Sequence, residues 1–115
     1  MLVRLDSPEQ ARVRIFPREM HLNLNGAIHG GIILGLIDVA LFGGSSLLLG
    51  TNMASAVTLE LSNQFLAPGD PERPLDALVE VVRETGRMVF VRGQVVQEDQ
   101  LVGSFSGIMR KITPR

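Results

Sequence analysis

The longest apolar stretch of the chain runs from Ile32 to Leu49, between Gly30-Gly31 and Gly50. Its apolar residues fall on nearly every side of a 3.6-residue repeat. The run therefore predicts one helix from about Gly30-Gly31 to Leu49 that other layers must wrap. Gly50 suits the left-handed position that ends such a helix, and a rod of this length spans about 28 Å.

Downstream the period drops to two. Between Ala54 and Leu66, one set (Val57, Leu59, Leu61, Asn63 and Phe65) alternates with another (Thr58, Glu60, Ser62 and Gln64). The two sets should face opposite sides of a strand. Three more strands are predicted, over Leu75–Thr85, Met88–Glu98 and Leu101–Ile112, with Ala77, Val79 and Val81 sharing one face of the first. Turn signals stand between them: Pro68-Gly69-Asp70-Pro71, Gly86-Arg87 and Asp99-Gln100. Connections this short make antiparallel neighbours.

Upstream, Ala11, Val13 and Ile15 alternate with Arg12 and Arg14, which predicts a short strand over Ala11–Phe16 that Pro17 ends. Within the polar first ten residues, Ser7-Pro8-Glu9 has the form of a helix start. His21–Ile28 reads as a loop containing the turn dipeptide Asn25-Gly26. A strand, a long apolar helix and four antiparallel strands, with no repeat and no linker, make an α+β fold in which a curved sheet embraces the helix.

With 115 residues the chain is expected to be one domain with a single core, and 45% hydrophobic residues excludes a disordered chain. It has no Cys, which rules out disulfides and thiolate chemistry and is compatible with the cytoplasm, the expected location. With two His and no Cys, a structural zinc site is not expected. The net charge is −1 with scattered basic residues, so nothing points to nucleic acid. The start, MLVRLDSPEQ, lacks the apolar core of a signal peptide. Ile32–Leu49 is about as long as a membrane span. However, it contains Asp38, three glycines and two serines, and neither end is closely flanked by Lys or Arg. An Asp at mid-bilayer costs on the order of 3 kcal/mol. A buried central helix is the expectation, and no membrane association.

Asp38 is the only formally charged side chain between Glu19 and Glu60. A carboxylate among apolar residues is costly unless it is paired, hydrogen-bonded or protonated, so Asp38 is the candidate reason for the segment. Its helical neighbours are Gly31, Leu34, Gly35, Leu41, Phe42 and Ser45. Its side chain leans toward Leu34 and Gly35, where Gly35 leaves room for a ligand atom or for the close approach of another helix. His29-Gly30-Gly31 opens the helix with unpaired amides at the positive end of the dipole, a candidate oxyanion site. Gly30 and Asp38 lie about 12 Å apart along one axis, too far to act on one carbonyl. Serving one site therefore requires two chains, which predicts a homodimer with two symmetric sites.

Asn23-x-x-Gly26-x-x-His29-Gly30-Gly31 followed by Asp38 resembles the signature of hotdog-fold acyl-CoA thioesterases of the phenylacetic-acid-degradation (PaaI-type) group. The stretch from Val57-Thr58-Leu59-Glu60-Leu61-Ser62 to Phe65-Leu66-Ala67-Pro68 is similar to the strand after the helix in that group, and the resemblance covers about residues 11–112. It implies the hotdog fold, hydrolysis of an aryl- or medium-chain acyl-CoA to a carboxylic acid and CoA, no cofactor, and a dimer that pairs into a tetramer. Asp38 would be the general base or nucleophile, and the Gly30 amide would polarise the thioester. Asn23 would hold the carbonyl or the water, while His29 would orient the loop or contact the thioester. Gly26, Gly31 and Gly35 would make room for substrate. Some members steady the acid or the water with a Ser or Thr on the strand after the helix. Ala56 stands at the expected place, with Ser55 and Thr58 as the nearby hydroxyls. CoA phosphates call for basic residues at the entrance; Arg87, Arg92, Arg110 and Lys111 are the candidates. Two alternatives share the fold: a hydratase or dehydratase, whose usual His-plus-Pro-Gly pattern is absent, and a non-catalytic acyl-CoA-binding module, which has no need of Asp38.

Overall fold

The structure, a computed structural model, describes residues 1–18, 21–24, 26–53 and 55–112. The elements in order are β1 (Leu2–Leu5), β2 (Ala11–Ile15), α1 (Gly30–Leu49), β3 (Val57–Phe65), β4 (Leu75–Glu84), β5 (Met88–Gln97) and β6 (Gln100–Arg110). The six strands form one antiparallel sheet in the order β1-β2-β4-β5-β6-β3, and α1 packs against it. This is the expected α+β hotdog architecture with one strand more. Ala54, the expected start of β3, and Asn25 of the turn dipeptide lie outside the described residues.

β1 escaped the sequence reading because all four of its residues are exposed at a sheet edge. Ser7-Pro8-Glu9 is a turn between β1 and β2 rather than the expected helix start. The Ser7 hydroxyl accepts hydrogen bonds from the Glu9 and Gln10 amides at 3.2 and 3.1 Å. A short hydroxyl side chain serves a turn as readily as a helix cap.

α1 begins and ends where its sequence predicts. Gly50 takes φ +64°, and its amide donates to the Ser46 carbonyl, a left-handed close that favours glycine. Ile33, Leu36, Ile37, Ala40, Leu41 and Gly44 face the sheet. A Cβ on Gly44 would lie 2.9 Å from the Val79 side chain, so its bare backbone lets helix and sheet approach. Val13, Leu75, Val79, Val89, Val95, Val102 and Met109 complete the core. By length and composition α1 could cross a membrane; here its inner half is the centre of that core. The expected wrapping is only half made, because the sheet covers one side. Gly31, Leu34, Gly35, Val39 and Leu47 remain exposed.

β3 departs from simple alternation. Thr58 pairs with Met109 but Glu60 pairs with Ile108, so Leu59 is an extra residue in a β-bulge. The bulge reverses the parity of the strand's first residues. Val57 and Leu59 are 42% and 53% exposed, whereas Thr58 turns to the helix side with Leu61 and Asn63; Phe65 shares that side but is itself 52% exposed at the end of the strand. The expected grouping of Val57 and Leu59 with Leu61 is therefore corrected.

On the outer sheet face Asp76 is 2% exposed. Arg14 donates to its two oxygens at 2.7 and 2.9 Å, and Arg12 donates at 2.5 Å. Burial works against ionising Asp76, but the hydrogen bonds from Arg14 and Arg12 outweigh it. They hold the carboxyl below its ordinary range. This cluster fastens β2 to β4.

Candidate active site

Two groups of candidate residues lie at different places on α1. The first is at its start. His29 precedes the helix with φ −55° and ψ 136°, and its side chain makes no capping bond. The Ile32 and Ile33 amides both donate to the His29 carbonyl, at 3.0 and 3.2 Å. The Gly30 and Gly31 amides come earlier in the turn, where α-helical geometry supplies no acceptor. They have no acceptor among the described residues. Beside Gly30 opens a cleft of about 360 Å³. Asn23, Ala27 and Gly30 form one wall and Phe65, Pro68 and Gly69 the other.

Asn23 shapes this wall by holding a turn. Its Oδ1 accepts from the Ala27 amide at 3.1 Å, its own amide donates to the Ala27 carbonyl at 2.7 Å, and its carbonyl accepts from Gly26 at 3.1 Å. Gly26 takes φ +78° in that turn and is exposed, outside the cleft lining. The His29 amide donates to the His21 carbonyl at 2.7 Å, which fixes the backbone ahead of Gly30, while the residue itself is exposed.

The second group centres on Asp38. It is half-buried, and its Oδ1 accepts a hydrogen bond from the Thr58 hydroxyl at 2.9 Å. The bulge at Leu59 makes this contact possible by turning Thr58 inward. Thr58, not Ala56 or Ser55, is thus the hydroxyl that steadies the acid. Asp38's helical neighbours divide. Leu41 and Ser45 face the core, whereas Gly31, Leu34 and Gly35 stay exposed. A Cβ on Gly31 or Gly35 would meet nothing within 4 Å, so the space beside the carboxylate is open.

Ser55 lies elsewhere, in a cleft of about 290 Å³ past the end of α1 that it shares with Asn52, Ala56, Gly86 and Lys111. Arg87 adjoins this cleft; its carbonyl accepts from the Lys111 amide at 2.8 Å. Lys111 Nζ is shared between Glu84 at 2.5 Å and the Thr85 carbonyl at 3.1 Å. Arg92 is paired with Glu80 at 3.3 Å on the outer sheet face, and exposed Arg110 lies opposite Val57 and Met88. Of the four basic candidates, then, Lys111 lines the cleft past the end of α1 with Arg87 next to it, and Arg92 lines a separate cleft with Glu80, Gly93 and Phe105.

Within one chain, Asp38 and Gly30 stay about 12 Å apart along the helix. The structure brings Asn23 to Gly30 and Thr58 to Asp38, but does not join the two groups. The sequence reading missed Phe65, whose ring would lie 3.3 Å from a Cβ on Gly30. Its place on the strand's inward face was legible; its height along the helix was not.

The model of the thioesterase superfamily matches residues 25–104. A comparison with curated proteins returns no match. Among solved structures, a mutant of the phenylacetic acid degradation protein PaaI from Thermus thermophilus is 28% identical. The alignment covers 96% of this chain and 92% of that one, with a TM-score of 0.81. The PaaI protein of Escherichia coli is 23% identical over 90% of this chain and 73% of that one, with a TM-score of 0.79. A Bacillus halodurans protein solved with CoA is 23% identical over 99% and 75%, with a TM-score of 0.82.

Proposed function

The chain belongs to the thioesterase superfamily, and we propose that it hydrolyses an aryl- or medium-chain acyl-CoA as a homodimer. The observation that carries this reading is the Thr58–Asp38 hydrogen bond at 2.9 Å, which aims a carboxylate along an uncovered stripe of an otherwise apolar helix. The bond leaves the other carboxylate oxygen available to a water molecule or to a carbonyl carbon.

Two features favour a second copy as the cover. β3 ends the sheet, and among the described residues its far edge pairs with no strand. A nine-residue edge strand bearing exposed Val57, Leu59 and Phe65 is a template for another strand. Antiparallel pairing of two β3 strands would set the two helices antiparallel. A two-fold axis passing the helices near Leu34 then places the partner's Gly30 opposite Asp38. Gly35, with no side chain, permits close helix approach at that crossing.

In such a site the thioester oxygen lies on the partner's Gly30 amide, in a cleft that Asn23 shapes and His29 borders. Asp38 takes a proton from water as the water attacks, or attacks the carbonyl itself. With water as nucleophile a C–O bond forms, the C–S bond breaks, and the proton that Asp38 took ends on the CoA sulfur; with Asp38 as nucleophile the C–S bond breaks to leave an aspartyl anhydride and CoA thiolate, and water then splits the anhydride, which frees the acid, restores Asp38 and supplies the proton to the sulfur. The amide favours the negative oxygen that develops on the way. Lys111, in the cleft that holds Ser55, and Arg87 beside it are the basic groups assigned to the CoA phosphates. The CoA found with the Bacillus halodurans neighbour supports that cargo.

The test is a panel of acyl-CoAs with detection of free thiol, run with the wild type and Asp38→Asn. Hydrolysis of at least one aryl- or medium-chain thioester, lost in the variant, is expected. Tight binding without turnover would instead make this an acyl-CoA-binding module, and hydration of an enoyl-CoA would make it a hydratase.

A further inference from the structure

Gln97, the last residue of β5, is 0% exposed. A primary amide placed so deep is costly unless its donors and acceptor are used. Its Oε1 accepts from the Asp70 amide at 2.7 Å. Its Nε2 donates to the Asp70 carbonyl at 2.7 Å and to the Arg73 carbonyl at 3.2 Å. The side chain thus grips both backbone groups of one residue, as a neighbouring strand would.

What it grips is the connection from β3 to β4. β3 lies at the sheet edge and β4 three strands inward, so the chain must cross the ends of β6 and β5. On its way the Leu66 amide is tied to the Val102 carbonyl of β6 at 2.8 Å, and Asp70 is tied to Gln97 of β5. Between these fastenings, Gly69 carries the start of the helix. Its carbonyl accepts from the Ile28 amide at 3.2 Å, and a Cβ on it would lie 2.9 Å from Ile28 Cδ1. Ile28 is two residues before Gly30. Pro68 and Gly69 also form the cleft wall that faces Gly30.

We propose that Gln97 is a positioning residue for the oxyanion donor. By clamping Asp70 it holds Gly69, and through Gly69 it sets the aim of the Gly30 amide and the width of the cleft. This rests on the thioesterase reading for its catalytic consequence, but the mechanical link does not depend on it.

Gln97→Met keeps the volume of the side chain and removes all three hydrogen bonds. The expected result is a fall in kcat of about tenfold or more with KM changed less than about threefold. The backbone amide resonances of Gly30 and Gly31 should also shift. A purely structural role would lower the melting temperature and leave turnover per folded molecule unchanged. Unchanged kcat together with unmoved Gly30 and Gly31 resonances would overturn the proposal. Should Gln97→Met fail to fold, Gln97→Glu serves. Below its ionisation the carboxylic acid can still donate to one carbonyl and accept from the Asp70 amide; above it, the carboxylate repels both carbonyls. Turnover and the two resonances should then approach wild type on acidification, and resonances indifferent to pH would overturn the link. If the wild type hydrolyses no thioester, the functional reading fails by itself, and the resonance measurements alone decide whether Gln97 governs Gly30.

Discussion

The two ends of the proposed chemistry are built differently. The cleft at Gly30 is finished within one chain. The Asn23 turn, the crossover at Gly69 and the Phe65 ring surround it, and hydrogen bonds reach back as far as Gln97. The Asp38 stripe is not finished. Apart from the Thr58 hydroxyl, the carboxylate looks out over Gly31, Leu34 and Gly35, which stand open. A helix whose inner face is packed and whose outer face is equally apolar lacks a layer. Each chain thus holds its Gly30 amide in a fixed setting and leaves Asp38 open on one side, which on the proposed reading a second chain encloses.

The largest effect should come from the open end. Asp38→Asn keeps shape and removes the base, and should lower kcat by on the order of 10³-fold with the circular dichroism spectrum unchanged. Residual activity within tenfold of wild type would mean that the carboxylate is not the reacting group.

The closed end should follow closely. Gly30→Pro deletes one amide where helices tolerate proline, and the extended His29 backbone, φ −55° and ψ 136°, suits a following proline. A fall of about 10²-fold in kcat with the fold intact is expected. Normal turnover in the proline variant would remove Gly30 as the donor.

Thr58→Val should cost about tenfold in kcat with little change in KM, since it removes one hydrogen bond that orients Asp38, and Thr58→Ser should restore most of the rate. Equal rates for Val and Ser would show that the hydroxyl has no part in aiming the acid.

The outer sheet face supplies the control, with no expected effect on turnover per folded molecule. The hydrogen-bonded Asp76 carboxyl is depressed below its ordinary value near 3.8. Its contribution to stability is therefore present above that value and is lost as pH falls through the lower folded one. Asp76→Asn should cost about 2 kcal/mol at neutral pH, less than for a fully enclosed pair because Arg14 reaches water. It should also flatten the decline of stability in acid, measured by urea unfolding between about pH 2 and 6. An unchanged acid slope would locate the linkage elsewhere.

Much of this was legible in the sequence because it rests on local pattern. The apolar run and Gly50 marked α1 to within a residue. The alternation around Ala77 and Val79 marked β4, and the isolation of Asp38 marked it as the candidate acid. The helical rise alone separates Asp38 from Gly30. The rest depends on partners far along the chain. The bulge at Leu59 turns Thr58 toward Asp38, twenty residues away, and strict alternation places Thr58 on the wrong side. β1 has no buried residue to give it a period. Gln97 and Asp76 acquire meaning only from residues 24 to 27 and 62 to 64 positions away.

The claim that each site takes its acid from one chain and its oxyanion donor from another is tested most directly by mixing two inactive proteins. Asp38→Asn and Gly30→Pro are co-refolded, and thioesterase activity is measured against each alone. In a mixed dimer one site would carry both defects and the other neither, so the mixture should recover about a quarter of wild-type activity per chain. A mixture no more active than its components, with subunit exchange confirmed, would contradict it.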